Sequence, residues 1–480
     1  MRRFTNSVLD SNTIKGAASN TKWLCASPIH SDVEAKLRCL LVELGNADRI
    51  LGIQVCAYKN GQVIIDTAAG VLGKDNPRPV QPDSLFPAFS VTKGVTAGMI
   101  HWLVDKGKLN LDENVANIWP EFGTNGKDQI KVHHILNHTS GLHNALADNT
   151  RNDPTLFCDW DECVKRIAEV APETEPGRDQ LYHYLSYGWL CGAIIERASG
   201  KKFQDVLEEA FVRPLNVEGE FYIGIPSGVE SRLANLTYDR NEFHTFSDLI
   251  AKCKYRTAVP SSFLPHILEN LISLADKLNV RRAILPASNG HFSARALARY
   301  YAALVDGGTV PPRHSSSLPP LGSHPHHPTF PSKNQKDEST DTYFTNPKPD
   351  HFIRIPETDA TGDEIETKIF SNPKSKLHDA FLGNGKYKDL ILPKGKFGLG
   401  FRKVCTMDAC STIGFGHAGL GGSMAYCDIN NRFSIAVTLN KLSFGDLTGE
   451  IIRFVCLELD LPVPKDYGRS CKFMEKPVFN

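Results

Sequence analysis

The 480-residue sequence predicts an α+β fold in which an antiparallel sheet, shared by strands from both ends of the chain, is flanked by helices. Residues 50–73 alternate apolar and polar side chains on either side of Asn60-Gly61, the dipeptide that most favours a two-residue hairpin turn. Helical periodicity then dominates the middle of the chain, which indicates a mostly helical subdomain. Strand-like composition returns near the carboxyl end, at residues 397–401, 419–428 and 432–439.

The first helix of the middle region is predicted to begin after Ser90. Apolar side chains recur every fourth residue from Val91 to Leu103, and Gly107 follows where the helix would end. Ser90 is therefore expected at a helix N-terminus, where a main-chain N–H is unpaired and the helix dipole is positive. Further helices are predicted at residues 133–137, 159–170, 187–198, 203–210, 293–305 and 447–461.

Composition divides the chain into one domain and three peripheral segments. Residues 1–30 are rich in Ser, Thr and Asn and form a predicted flexible leader, and residues 466–480 form a tail. Dense Pro, Ser, His, Asp and Lys mark residues 311–376 as a low-complexity insertion in the domain made by residues 31–310 and 377–465. Prolines interrupt the histidines of the insertion, so we expect a solvated linker without metal or cofactor at His314, His324, His326 and His327.

The charge balance and the apolar runs exclude two classes of partner. Lys plus Arg and Asp plus Glu both number 54, so the chain lacks the basic excess that nucleic acid requires. No apolar run approaches the roughly 20 residues that span a bilayer, which predicts the absence of a membrane span. A small-molecule substrate fits this composition better.

The cysteines and the first 30 residues predict an intracellular protein. The 12 cysteines form no CxxC pairs, and several lie in apolar runs where free thiols pack as small hydrophobes. The leader lacks the apolar stretch of a secretory signal, while its Ser-rich, acid-poor composition is compatible with an organellar transit peptide. We expect a cytoplasmic or organellar location, in a plastid or mitochondrion, rather than secretion.

Ser90 and Lys93 form the Ser-x-x-Lys pair best placed for catalysis. Lys93 follows Ser90 by one helical turn, so both side chains project from one face of the predicted helix. A serine hydroxyl is a poor nucleophile until a base takes its proton, and a partly buried lysine with a lowered pKa can be that base. A helix-terminal serine beside a solvated lysine is the alternative interpretation. The chain carries other such pairs in the leader, a turn and the insertion: Ser19/Lys22, Ser199/Lys202 and Ser371/Lys374.

Several segments around this pair resemble the β-lactamase-related serine hydrolases, which include class C β-lactamases, penicillin-binding proteins and family VIII esterases. Residues 81–93 and 108–112 resemble the active-site region of that family, and the other matching blocks follow in the family's order: residues 130–142, 176–189, 286–304 and 416–423. The sequence is also similar to the β-lactamase-like domain of plant ABC1-type kinase fusions. The resemblance implies a β-lactamase/transpeptidase-like fold with an antiparallel sheet of five or more strands.

The resemblance also assigns catalytic roles to individual residues. It makes Ser90 the nucleophile, Lys93 its activating partner and Tyr184 the second member of the acid and base pair. A phenol near cations can shift toward phenolate and exchange protons with the nucleophile and the leaving group. Without the resemblance, an aromatic side chain packed in a tyrosine-rich turn explains Tyr184 better.

The substrate-binding residues implied by the resemblance lie near the carboxyl end. His417-Ala418-Gly419 occupies the position of the family's Lys-Thr-Gly strand, and the N–H groups of Ser90 and Leu420 form the expected oxyanion hole. Taken alone, His417 is equally well explained as a core histidine.

Two departures from the family pattern, Ser186 and His417, narrow the predicted substrate. Ser186 stands where the family usually has Asn, so the amide that contacts the lysine and the substrate is replaced by a shorter hydroxyl. His417 stands where penicillin-binding proteins have Lys, so a fixed positive charge for a substrate carboxylate is absent or pH-dependent. Both changes favour esters over penicillins.

The leading hypothesis is a serine hydrolase that forms an acyl-enzyme at Ser90 with a small ester, or amide, substrate. A catalytically weak or inactive scaffold or regulatory protein is the alternative. A β-lactamase or D-alanyl peptidase is the third hypothesis.

Overall fold

The computed structural model describes residues 23–252, 265–312, 318–325, 367–406 and 411–467. Its strands are β1 (Gly52–Lys59), β2 (Gln62–Gly70), β3 (Phe86–Pro87), β4 (Phe221–Ile223), β5 (Thr237–Tyr238), β6 (Gly290–Phe292), β7 (Arg402–Cys405), β8 (Thr412–Ala418), β9 (Met424–Asp428), β10 (Phe433–Leu439) and β11 (Lys441–Leu442). Its helices are α1 (Asp32–Asn46), α2 (Val91–Asp105), α3 (Val115–Ile118), α4 (Val132–Leu136), α5 (Ala147–Asn152), α6 (Trp160–Glu169), α7 (Tyr187–Ser199), α8 (Phe203–Leu207), α9 (Arg213–Leu215), α10 (Arg240–Lys252), α11 (Pro265–Ala275), α12 (Leu278–Arg282), α13 (Ala294–Val305), α14 (Lys374–Leu382) and α15 (Leu447–Glu458).

The largest sheet has six antiparallel strands in the order β2-β1-β10-β9-β8-β7. β1 pairs with both β2 and β10, which confirms that strands from the two ends of the chain share one sheet. Asn60 and Gly61 connect β1 to β2 with φ angles of 52° and 78°, the left-handed conformation that a two-residue hairpin turn favours. Smaller sheets have the orders β3-β6-β4 and β11-β5. The predicted α+β fold is confirmed.

Helix α2 carries the Ser-x-x-Lys pair into the centre of the domain, where it contacts α7 and β8. Its glycines allow close packing. A Cβ atom on Gly94 would lie 2.4 Å from the Tyr301 hydroxyl, and one on Gly98 would lie 2.1 Å from the Tyr300 hydroxyl. The helix predicted to follow Ser90 is therefore confirmed, and close packing fixes its depth in the core.

The predicted strand at residues 397–401 differs from the observed structure. Only Phe397 makes a β-bridge there, to Arg402, and regular pairing begins at β7. Gly400 has a φ of 97°, which no extended strand accommodates, and a Cβ atom on it would lie 2.4 Å from the Ala97 side chain. This segment packs on α2 instead of extending the sheet. The first part of the predicted strand 419–428 is likewise a glycine-rich turn before β9.

The described part of the predicted leader packs on the domain. Leu24 forms a β-bridge with Ala69, and the Arg38 guanidinium donates to the Ser27 carbonyl at 2.9 Å. Residues 1–22 lie outside the described residues, as do residues 468–480 of the predicted tail.

The described ends of the predicted insertion also contact the domain. Thr309 bridges to Lys368, and Phe370 is buried in the main hydrophobic core. His324 Nε2 lies 3.1 Å from Asp83 Oδ2. Residues 313–317 and 326–366, which include His314, His326 and His327, lie outside the described residues. Lys368 and Phe370 lie within the predicted insertion and belong to the packed structure. The predicted boundary at residue 376 stays a prediction.

None of the helices within the described ranges is long and apolar enough to cross a lipid bilayer. The cysteines within those ranges are all free thiols.

Candidate active site

Ser90 lies at the junction between a strained turn and helix α2. Phe89, the residue before it, has a φ of 46°, in the left-handed region that bulky residues rarely adopt. Thr92 fixes this turn, because its hydroxyl donates to the Phe89 carbonyl at 2.5 Å and accepts from the Gly290 N–H at 2.8 Å. The turn brings Ser90 to the wall of a cavity.

Lys93 is fully buried one helical turn after Ser90, and oxygen atoms surround its amino group. Its Nζ donates to Ser90 Oγ at 3.3 Å, to the Tyr184 carbonyl at 3.2 Å and to the Ala287 carbonyl at 3.0 Å. Burial lowers the pKa of Lys93 to about 7. A substantial fraction of Lys93 is therefore neutral near pH 7 and able to accept the Ser90 proton.

Two tyrosines, Tyr182 and Tyr184, line the same cavity but contact the Ser-Lys pair differently. Lys93 Nζ lies 5.0 Å from the centroid of the Tyr182 ring. Burial raises the pKa of Tyr182, and the neighbouring Ser90 hydroxyl opposes this rise in part. Within the described residues the Tyr182 hydroxyl makes no hydrogen bond of normal length and angle. Tyr184 instead contacts Lys93 through its main-chain carbonyl. The acid and base role that the resemblance gives to Tyr184 stays a prediction, and the Tyr182 ring lies beside the same Ser-Lys pair.

The Tyr182 ring is held by aromatic neighbours and by the chain on either side of it. Its centroid lies 4.9 Å from that of His138 and 5.7 Å from that of Phe397. His138 Nδ1 accepts the His183 N–H at 3.2 Å, and the His138 carbonyl accepts the Leu181 N–H at 3.0 Å. Because these bonds flank Tyr182 in the chain, the block around His138 positions the phenol.

The turn after β8 brings Gly419 and Leu420 against the segment that precedes Ser90. A Cβ atom on Gly419 would lie 2.3 Å from the Ala88 carbonyl oxygen, so glycine is required for this approach. The Gly419 N–H donates to the Ser423 carbonyl at 2.7 Å. Within the described part of the chain, no acceptor pairs with the N–H groups of Ser90 and Leu420, and both residues line the cavity. Unpaired donors at a cavity wall are what an oxyanion hole requires.

The side chains of His417 and Ser186 do not line the cavity as the structure describes it. His417 Nδ1 lies 2.9 Å from the Ala418 carbonyl, and burial, aided by the charge of Lys93, lowers the pKa of His417 to about 3. His417 is therefore neutral at physiological pH. The buried Ser186 hydroxyl donates to the Leu142 carbonyl at 2.7 Å. The substrate-binding roles of Ser186 and His417 stay predictions.

The cavity beside Ser90 has a volume of about 560 Å³, within the range of sites that hold drug-sized ligands. Its wall is largely apolar, and helices α10 and α11 contribute Phe246, Leu268, Leu271 and Ala275. Phe89, next to Ser90, packs in a small cluster with Phe243, Leu268, Ile272 and Leu442. The charged residues of the wall are Glu242, Arg402, Asp446 and Asp466.

Residues 37–453 match the sequence model of the Beta-lactamase family. The chain belongs to the Beta-lactamase family. Its curated relatives include the "Esterase/beta-lactamase LipL" of Mycobacterium tuberculosis, 26% identical over 401 residues that cover 82% of this chain and 78% of the relative. "Esterase EstB" of Burkholderia gladioli is 28% identical over 202 residues, which cover 39% of this chain and 51% of the relative. As a member of this family with esterase and penicillin-binding relatives, the protein is a serine hydrolase.

Solved structures share the fold of this chain. A penicillin-binding protein homologue from Caulobacter crescentus superposes with a TM-score of 0.60 at 26% identity, covering 87% of this chain and 94% of the homologue. A family VIII carboxylesterase superposes with a TM-score of 0.62 at 22% identity, covering 89% of this chain and 98% of the carboxylesterase. The predicted β-lactamase/transpeptidase-like fold is confirmed.

Sequence analysis did not identify Tyr182, Ala287 or the charged wall of this family member's cavity. The signal for Tyr182 was present in the tyrosine-rich block, but a spacing of two residues does not reveal which tyrosine directs its ring, and which its carbonyl, toward Lys93. The Ala287 carbonyl gives no sequence signal, since any residue carries one. The cavity wall depends on long-range packing of α10, α11 and the carboxyl-terminal segment.

Proposed function

We propose that this Beta-lactamase family member is a carboxylesterase-like serine hydrolase that forms an acyl-enzyme at Ser90. The observation that carries the proposal is the hydrogen bond between the buried Lys93, with its lowered pKa, and Ser90 at the wall of an apolar cavity. A base of this pKa matches the operating pH of an intracellular enzyme, which is the condition for efficient proton transfer.

In the proposed acylation, neutral Lys93 takes the hydroxyl proton while Ser90 Oγ attacks the ester carbonyl carbon. The N–H groups of Ser90 and Leu420 stabilise the resulting oxyanion. Collapse of the intermediate breaks the bond to the alcohol, which takes a proton from the Tyr182 phenol, and Lys93 returns its proton to Tyr182. Water then attacks the acyl-enzyme by the reverse proton path and releases the acid. We assign this acid and base role to Tyr182 rather than to Tyr184.

Three features support ester substrates over amides and penicillins. His417 is neutral at physiological pH, so it offers no fixed charge to a substrate carboxylate. Ser186 donates its hydroxyl proton to the Leu142 carbonyl and does not belong to the cavity wall, which disfavours a contact with a substrate amide. The LipL and EstB relatives are named as esterases, and the first also as a β-lactamase.

A fluorophosphonate probe and short 4-nitrophenyl esters test the proposal together. We expect the wild-type protein to hydrolyse the esters and to carry the probe on Ser90, and Ser90→Ala to lose both properties. Ser288→Ala, which changes another serine of the cavity wall, is the matched control and should keep both. We also expect ester turnover to exceed nitrocefin turnover.

Three outcomes would contradict parts of the proposal. Labelling that survives Ser90→Ala refutes the nucleophile. Wild-type protein that takes no label and hydrolyses no ester favours the non-catalytic scaffold. Nitrocefin turnover equal to ester turnover favours the β-lactamase hypothesis.

A further inference from the structure

The charged side chains of the catalytic cavity are unevenly divided between cations and anions. Arg402 is the one cationic side chain among the described residues of the wall, which also carries the carboxylates of Glu242, Asp446 and Asp466. Lys93 is fully buried and does not belong to the cavity wall as the structure describes it. A substrate with a carboxylate would therefore depend on Arg402 for an ionic partner.

Arg402 stands close to the catalytic groups. It is the first residue of β7 and pairs with Gly416 of β8, next to His417. Burial is the main influence on both neighbouring groups, since it raises the pKa of Tyr182 and lowers the pKa of His417, and the charge of Arg402 acts on both pKa values in the lowering direction. Arg402 is 8% exposed, so its guanidinium is largely shielded from solvent and its choice of partner matters.

Asp466 already binds this arginine. Arg402 Nη2 donates to Asp466 Oδ2 at 2.7 Å, the length of a charge-assisted hydrogen bond. Both side chains line the cavity, so the ion pair faces the space that a substrate enters.

The segment that carries Asp466 is fixed to the domain at several points. Pro464 forms a β-bridge with Thr406, and the Arg453 guanidinium donates to the Tyr467 carbonyl at 2.6 Å. The Tyr467 hydroxyl contacts Met424 Sδ at 3.0 Å, at the start of β9. These contacts hold the aspartate at Arg402.

We propose that Asp466 occupies the place at Arg402 that a substrate carboxylate would take, and so makes the site selective for uncharged acyl groups. This inference rests on the proposed esterase function. An anionic substrate must either displace Asp466, which then lies unpaired at the wall, or enter beside its carboxylate and be repelled. Uncharged esters bear neither cost and use the apolar wall near Phe89.

A pair of esters of equal chain length tests the inference: 4-nitrophenyl butyrate and the mono-4-nitrophenyl ester of succinic acid, which differs by its terminal carboxylate. We expect wild-type protein to favour the butyrate ester by kcat/KM. In Asp466→Asn the kcat/KM ratio of succinate ester to butyrate ester should rise about tenfold or more, because the carboxylate that competes with the substrate for Arg402 is removed. Adding Arg402→Met to Asp466→Asn should remove that gain.

Glu242→Gln is the matched control, because it removes the same charge from the wall but alters a carboxylate whose partners are Ser443 and Phe444. A similar rise in this variant would show a general charge effect and overturn the role of Asp466. The inference is also overturned if wild-type protein uses both esters equally, a result that needs no variant, or if Asp466→Asn leaves the ratio unchanged. If wild-type protein hydrolyses neither ester and takes no label at Ser90, the proposed function fails and this inference falls with it.

Discussion

Burial is the main cause of the unusual ionisation of the groups around Ser90. It lowers the pKa of Lys93 to about 7 and that of His417 to about 3, and it raises the pKa of Tyr182. Of these three groups, Lys93 alone changes charge near neutral pH. The site therefore combines a neutral histidine, a protonated phenol and a lysine that is partly neutral, which is the protonation state that a serine nucleophile requires.

The pH dependence of ester hydrolysis follows from Lys93. The base is active when neutral, so kcat/KM for an uncharged ester should fall about tenfold for each pH unit below a pKa near 7 and level off above it. His417 and Tyr182 should not contribute between pH 5.5 and 8.5, because their pKa values are shifted away from that range. A profile that is flat across this interval would show that Lys93 is not the base.

Substitution of each tyrosine separates the two candidates for the acid and base role. Tyr182→Phe should lower kcat by roughly 10²–10⁴, the usual contribution of a positioned proton donor, with little change in thermal stability. Tyr184→Phe keeps the main-chain carbonyl that accepts from Lys93 and should cost less than about tenfold. Steady-state kinetics on 4-nitrophenyl butyrate measure both variants. A larger loss from Tyr184→Phe would return the role to the residue first predicted.

At the scale of secondary structure, the elements specified by local sequence were predictable and those specified by packing were not. The β1–β2 hairpin and helix α2 follow from a turn dipeptide and an apolar period, and both are confirmed. Residues 397–401 have the composition of a strand, yet Gly400 adopts a φ of 97° because it packs against Ala97 of α2. That neighbour is distant in sequence, so composition alone could not reveal the contact.

The candidate site divides in the same way. Ser90, Lys93 and the turn at Gly419 were predictable because motif spacing and family resemblance mark them. The position of the Tyr182 ring beside Lys93 was not, since it depends on how His138 and Phe397 hold that ring. Likewise, nothing in the sequence pairs Arg402 with an aspartate more than sixty positions later.

At the scale of the whole molecule, a buried polar network joins the helical region to the sheets around the site. Arg295 of α13 donates to both carboxylate oxygens of Glu220, through Nη2 at 2.5 Å and Nε at 2.8 Å. Ser293 also donates to Glu220 at 2.7 Å, and the Gln54 side chain of β1 accepts the Ala294 N–H at 2.8 Å. Since Glu220 precedes β4 and α13 packs on β1 and β10, the network fixes the small sheet that includes β6 against the main one.

Removal of the charge of Glu220 tests how much stability this network contributes. Both side chains of the Glu220–Arg295 pair are fully inaccessible, so Glu220→Gln leaves a buried guanidinium without its carboxylate. We expect the free energy of unfolding to fall by about 3–5 kcal/mol, measured by chemical denaturation.

The control is Glu230→Gln, which breaks the 2.8 Å ion pair between Glu230 and Arg282. The side chain of Glu230 is 35% exposed and that of Arg282 is 45% exposed. That change should cost at most about 1 kcal/mol, because solvent screens exposed pairs. Equal losses in the two variants would show that burial does not set the contribution of the Glu220–Arg295 pair.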